Sequence, residues 1–152
     1  MRVAYVVPSV IVSYYLPRDS FHRQVVELFD DPDTAPITSA WSRIEVFSAL
    51  VRATQTVVAD NDSLLERLDH DLSGDPITMI TTAEAAAVAL TLELVQHQLI
   101  RPLDAWHIAV AADALPKLAG PGDTAVFYTC DPDRARAAKS IGLTTADLSD
   151  CS

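Results

Sequence analysis

At 152 residues, 49% of them hydrophobic and 21% charged, the chain is long enough to bury one real core and is ordinary for a single globular domain spanning 1–152. Its formal net charge of −10 excludes nonspecific nucleic-acid binding through bulk charge, because phosphate affinity rests mainly on Lys and Arg; a nucleic-acid ligand would need cations or a local basic patch. The two cysteines, Cys130 and Cys151, form neither a CxxC pair nor a zinc spacing and read as reduced thiols of a cytosolic protein.

Val3 to Val7 reads as a strand buried on both faces, as in the centre of a parallel sheet. The apolar run on to Leu16 is read as a buried strand and a helix rather than a secretory signal, since only Arg2 precedes it, Pro8 interrupts it, and no Ala-x-Ala-like site follows. It is also too short to span a membrane. Pro8-Ser9 is read as a turn, Val10 to Leu16 as a short helix stopped by Pro17, and Phe21 to Phe29 as a second helix capped by Ser20, with Val25, Val26, Leu28 and Phe29 inward. An acidic loop over Asp30 to Pro36 leads to a short strand, Ile37-Thr38-Ser39. A helix follows from Trp41 to Ala53, with Ala40, Ile44, Phe47 and Val51 as its apolar stripe and Glu45 beside it.

After a polar break at Asp60-Asn61-Asp62-Ser63, Leu64 to Leu72 is read as helical, Ser73 to Pro76 as a turn and Ile77 to Ile80 as a third strand. Thr81-Thr82-Ala83-Glu84 has the form of a capping box before an alanine-rich helix reaching Leu99. The next helix begins at Pro102, which suits a first turn, and ends near Leu115-Pro116; Ala105, Ile108, Ala109 and Ala112 share one face. Ala125 to Thr129 forms a fourth strand, Asp131 to Ile141 a helix closed by Gly142, and Thr144 to Leu148 a last edge strand. Alternating strands and helices predict a three-layer α/β sandwich: a mainly parallel central sheet of four or five strands with helices on both faces. Ligands of such sheets bind beyond the strands' carboxyl ends, so Val7 to Ser9, Thr129 and Asp131 should open on one rim.

Three carboxylates stand where that rim could gather them: Glu45, Asp104 in the opening turn of a buried helix, and Asp131 just past a strand, with Asp133 nearby. Each has an ordinary structural role open to it. Glu45 could pair with Arg43 or Arg52, Asp104 could be held by first-turn N–H groups, Asp131 could cap its helix, and Asp133 could be a plain first-turn acid. Gathered in one pocket they would repel one another unless protons or cations neutralised them, and an oxygen-rich set suits Mg²⁺ or Mn²⁺.

Four segments, in order, resemble the PIN-domain ribonucleases, in particular the VapC-type toxins of type II toxin–antitoxin pairs. Tyr5-Val6-Val7-Pro8-Ser9-Val10-Ile11-Val12 is similar to an opening strand that usually reads Y-L-D-T-S-x-L-V. Ile37 through Glu45 is similar to the second motif, Leu103-Asp104-Ala105-Trp106-His107-Ile108-Ala109 to L-D-A-L-H-L-A, and Tyr128-Thr129-Cys130-Asp131-Pro132-Asp133 to the last. The resemblance implies a metal-dependent endoribonuclease cleaving RNA phosphodiester bonds. Glu45, Asp104 and Asp131 would be catalytic acids and, with Asp133, ligands of Mg²⁺ or Mn²⁺, while Ser9 would orient the substrate. It also implies a VapB-like antitoxin partner, a cytoplasmic homodimer and no membrane association; Tyr14, Tyr15, Phe21 and Val25 are candidates for the dimer surface. Arg2, Arg43, Arg101, Arg134 and Arg136 are candidate phosphate contacts, each otherwise a solvated surface arginine.

One position departs from the pattern. The first acid of the motif falls on Val7, which cannot ligate a metal. An engineered change, a naturally degenerate site and a sequence error would each account for it. The expectation is an impaired nuclease, with the alternative of a catalytically inactive PIN-fold module that binds RNA or an antitoxin without cleaving.

Overall fold

The computed structural model describes residues 1–54 and 61–151. Asp60, read as part of a polar break, lies outside them. Five strands form one sheet: β1 (Arg2–Val6), β2 (Thr34–Ser39), β3 (Thr78–Ile80), β4 (Thr124–Thr129) and β5 (Thr145–Asp147). Their order is β3-β2-β1-β4-β5 and every pairing is parallel. Among the described residues seven α-helices supply the crossovers and outer layers: α1 (Pro8–Tyr15), α2 (His22–Asp30), α3 (Ala40–Thr54), α4 (Asn61–Asp71), α5 (Glu84–Gln98), α6 (Pro102–Leu118) and α7 (Pro132–Ser140). The predicted three-layer sandwich is the observed architecture.

β1 is central because its residues are apolar on both faces. Val3, Ala4, Tyr5 and Val6 are all buried, and each large side chain removed from water contributes on the order of 1.5–3 kcal/mol. Tyr5 stacks on Phe127 of β4 with ring centroids 5.8 Å apart. α6 lies against β1 and β4, and its buried alanines 105, 109 and 111 allow a close approach. It runs on through Pro116 rather than stopping there.

Several local readings are corrected. Pro8 begins α1 instead of turning the chain, since its fixed φ and missing N–H fit a first helical position. β2 starts at Thr34, three residues before the predicted strand, and includes Pro36. α2 is entered through Asp19, whose carboxylate accepts the Phe21 N–H at 2.9 Å; Ser20 is not its cap. Ala83 is the N-cap of α5 without a side-chain bond, so Thr81 to Glu84 makes no capping box. The buried stripe of α3 is Ser42, Val46 and Leu50, and Ile44 is 56% exposed. Ser42 is tolerated inside because its hydroxyl pairs with Thr38 at 2.6 Å.

α1 and α4 are joined by the Tyr15 hydroxyl, which donates to Asp71 at 2.5 Å, with Arg67 over the ring. Burial, then the Asp71 carboxylate, pushes the Tyr15 phenol above its usual range; burial does the same to Tyr5. The unfolded chain releases these protons near pH 10. The folded chain releases them only at higher pH, so stability is whole below pH 10 and falls as pH rises. Urea midpoints at pH 9 and pH 11 should show this loss, and Tyr15→Phe should reduce it.

Candidate active site

With all strands parallel, their carboxyl ends share one rim. Val7 follows β1 in extended conformation (φ −79°, ψ 162°), its N–H donating to the Tyr128 carbonyl at the end of β4. It thus continues the alternation that points Tyr5 toward α6, and it is fully buried. Glu45 projects from α3, Asp104 from the first turn of α6, and Asp131 from the loop after β4. Glu45 and Asp104 line one cavity of about 410 Å³. Asp104, Asp131 and Asp133 line an adjoining one of about 200 Å³. Arg101, Asp104 and Arg134 are common to both walls.

Each carboxylate already has a partner. Glu45 pairs with neither Arg43 nor Arg52; its Oε2 meets His107 Nε2 at 2.5 Å. His107 is 1% exposed, and its Nδ1 lies 2.8 Å from the Tyr5 hydroxyl. If Tyr5 donates to Nδ1, the ring is left to donate Nε2–H to Glu45. This chain of Tyr5, His107 and Glu45 fixes the orientation of the carboxylate. Asp104 is held by the Arg134 guanidinium, with Arg101 Nε 3.4 Å from its other oxygen. Asp131 caps α7, accepting from the Asp133 N–H at 2.9 Å and the Arg134 N–H at 3.5 Å. Asp131→Ala should therefore lower stability by about 1 kcal/mol in urea unfolding, the usual effect of losing such a cap. Asp133 is exposed and pairs with Arg136.

Divalent cations need several oxygens converging on one point. Among the described residues, no three of His, Cys, Asp and Glu stand together so as to hold a metal ion. Position 7 offers no oxygen, and the remaining carboxylates are engaged by the chain's own guanidinium, imidazole and backbone groups. The residues as arranged do not fit Mg²⁺ or Mn²⁺.

Ser9 lines a cavity of about 580 Å³, whose wall also holds Ser13, Asp19, Glu45 and Cys130. Among the described residues its hydroxyl has no partner within hydrogen-bonding geometry, though the Cys130 thiol lies beside it. Burial, reinforced by the negative charge of Asp19, pushes the Cys130 thiol up to about 11, so it is chiefly protonated near neutrality.

The candidate phosphate contacts divide. Arg2 pairs with Asp31 at the amino end of β1, away from the rim, and Arg43 binds Asp69 through two bonds. Arg134 is 9% exposed and committed to Asp104. Arg101, with its side chain 83% exposed, is the cation at the rim best placed to meet a ligand. The candidate dimer surface is also partly spent internally: Val25 is fully buried and Tyr14 packs on Tyr15 and Phe29. The sequence marked Arg134 as a candidate phosphate contact or a solvated surface arginine, and neither reading places it against Asp104. The spacing of three residues from Asp104 was the one signal for His107. Arg134 gave none, since its partner lies 30 residues away.

The PIN domain family matches residues 4–140 of the chain. Among solved structures, the chain is similar to one in the crystal structure of FitAcB from Neisseria gonorrhoeae. The two are 19% identical, with 95% of this chain and 97% of that chain covered and a TM-score of 0.63, a likeness of fold. No curated protein matches. Among the described residues no helix is long and apolar enough to cross a membrane.

Proposed function

The chain belongs to the PIN domain family, and on that premise we propose that it is a VapC-like endoribonuclease scaffold whose cutting is impaired. The observation that carries this reading is the shared rim. Glu45, Asp104 and Asp131, far apart in sequence, line two adjoining cavities beyond the carboxyl ends of β1 and β4, while the position that should complete them is Val7. The substrate class is single-stranded RNA. Arg101 offers its guanidinium to a backbone phosphate, Ser9 a hydroxyl to a phosphate oxygen, and Tyr5 and His107 hold Glu45 in a fixed direction. The impaired step is neutralisation of charge at the scissile phosphate, since the resident carboxylates do not fit the divalent ion that family resemblance implies.

A VapB-like antitoxin is the proposed protein partner. Carboxylates at the rim and a net charge of −10 favour a basic peptide arm over a second polyanion. The further proposals of a cytoplasmic location and a homodimer rest on the family resemblance. The nuclease reading is tested by hydrolysis of labelled single-stranded RNA in Mn²⁺ by a chain carrying Val7→Asp and Arg134→Gln together. Gain of cleavage supports it, and a folded double variant that cuts no RNA removes it.

A further inference from the structure

We infer that Arg134 is a built-in cation occupying the electrostatic place of a metal ion, so that two positions, 7 and 134, and not one, separate this chain from a metal-binding centre. A guanidinium is charged at any accessible pH, and a buried one requires a counter-charge. Arg134 is 9% exposed and finds that counter-charge in Asp104. Its place is fixed from the backbone outward, because its own N–H donates to Asp131, the cap of α7. The side chain thus enters the wall shared by both acidic cavities. Among the described residues its Nε has no partner, so the contact with Asp104 is its principal anchor.

The charge count gives the reason for coupling the two positions. Relative to a carboxylate at 7 and a neutral side chain at 134, Val7 with Arg134 makes the site more positive by two charges, which is what one divalent ion would bring. A cation approaching Asp104 must displace a guanidinium already bound there and leave that charge buried without a partner. An acid restored at position 7 alone would leave Arg134 on Asp104, so the second charge would still be in place. The inference concerns the same site as the nuclease reading but does not depend on RNA.

Calorimetric titration of MnCl₂ into four full-length chains tests it: the unchanged chain, Val7→Asp, Arg134→Gln, and both together. The double variant is expected to bind Mn²⁺ at least about tenfold more tightly than either single, the scale on which groups around a metal alter affinity. Val7→Asp binding as tightly as the double variant would overturn the inference. Should the buried acid at 7 prevent folding, thermal melting of Arg134→Gln decides. Its melting temperature should fall below that of the unchanged chain and recover in Mn²⁺, while Arg134→Lys, which keeps the charge, shows no recovery. Mn²⁺ raising the unchanged chain's melting temperature equally would again overturn it. A double variant that binds Mn²⁺ without cutting RNA ends the nuclease reading alone; Val7→Asp that both binds and cuts ends this inference alone.

Discussion

A chain carrying Val7→Asp and Arg134→Gln is expected to hydrolyse single-stranded RNA in Mn²⁺ at least about 100-fold faster than the unchanged chain, a barrier difference of roughly 2.7 kcal/mol. The size follows from what the unchanged rim lacks. Asp104 is neutralised by Arg134, and the side chain at position 7 is a buried valine that adds no oxygen. Hydrolysis needs charge stabilisation at the phosphate, and a preorganised electrostatic contact there commonly accounts for a factor of about 100–1,000. Each single variant corrects half of the defect and should gain less than about tenfold. EDTA should abolish the gain. Because Val7 is fully buried, the double variant should also melt lower without Mn²⁺ than with it.

His107→Ala is expected to lower stability by about 3 kcal/mol, the largest effect of any single change at the rim. Two terms add. Removing a ring that is 1% exposed leaves a cavity between α6 and β1, and the Tyr5 hydroxyl loses its imidazole partner in the same interior. For a domain of this length that corresponds to a fall in melting temperature of about 6–12 °C. Tyr5→Phe keeps the ring stacked on Phe127 and removes only the hydroxyl, so about 1–2 kcal/mol should be lost. In the restored double variant, His107→Gln should lower kcat more than it raises KM, because Glu45 would lose its fixed orientation while the rim cations remain. Equal loss of binding and turnover would make His107 a packing residue alone.

The sheet was legible because its central strands are short apolar runs bounded by turn residues, and parallel strands covered on both faces need no alternation. Val3 to Val7 and Ala125 to Thr129 show this plainly. The orientation of α3 was not legible. Ala40, Ile44, Phe47 and Val51 satisfy helical spacing as well as Ser42, Val46 and Leu50 do, and a serine in the true stripe disguises it. The bond between Thr38 and Ser42 satisfies the serine hydroxyl on that buried face. The cap of α7 at Asp131 was readable from a local rule, whereas Ser20 and Thr81 to Glu84 obey similar rules and do not cap. Asp19 takes the place of Ser20 from one residue earlier.

At the site, the sequence offered the carboxylates and the gap at Val7, since motif order is local information. It did not offer their occupants. Pairing of Glu45 with His107 spans 62 residues, and pairing of Asp104 with Arg134 spans 30. Such contacts are set by how α3, α6 and α7 meet over the sheet, which no spacing rule encodes. A row of acids therefore reads as a metal site from sequence, although each acid has a neighbour that neutralises or orients it.

The most direct measurement is titration of the unchanged chain with Mn²⁺, followed by calorimetry or by the spin resonance of the free ion. A rim neutralised by its own arginine predicts no stoichiometric uptake at micromolar concentrations. Uptake of one ion per chain in that range, abolished by Asp104→Asn, would contradict it.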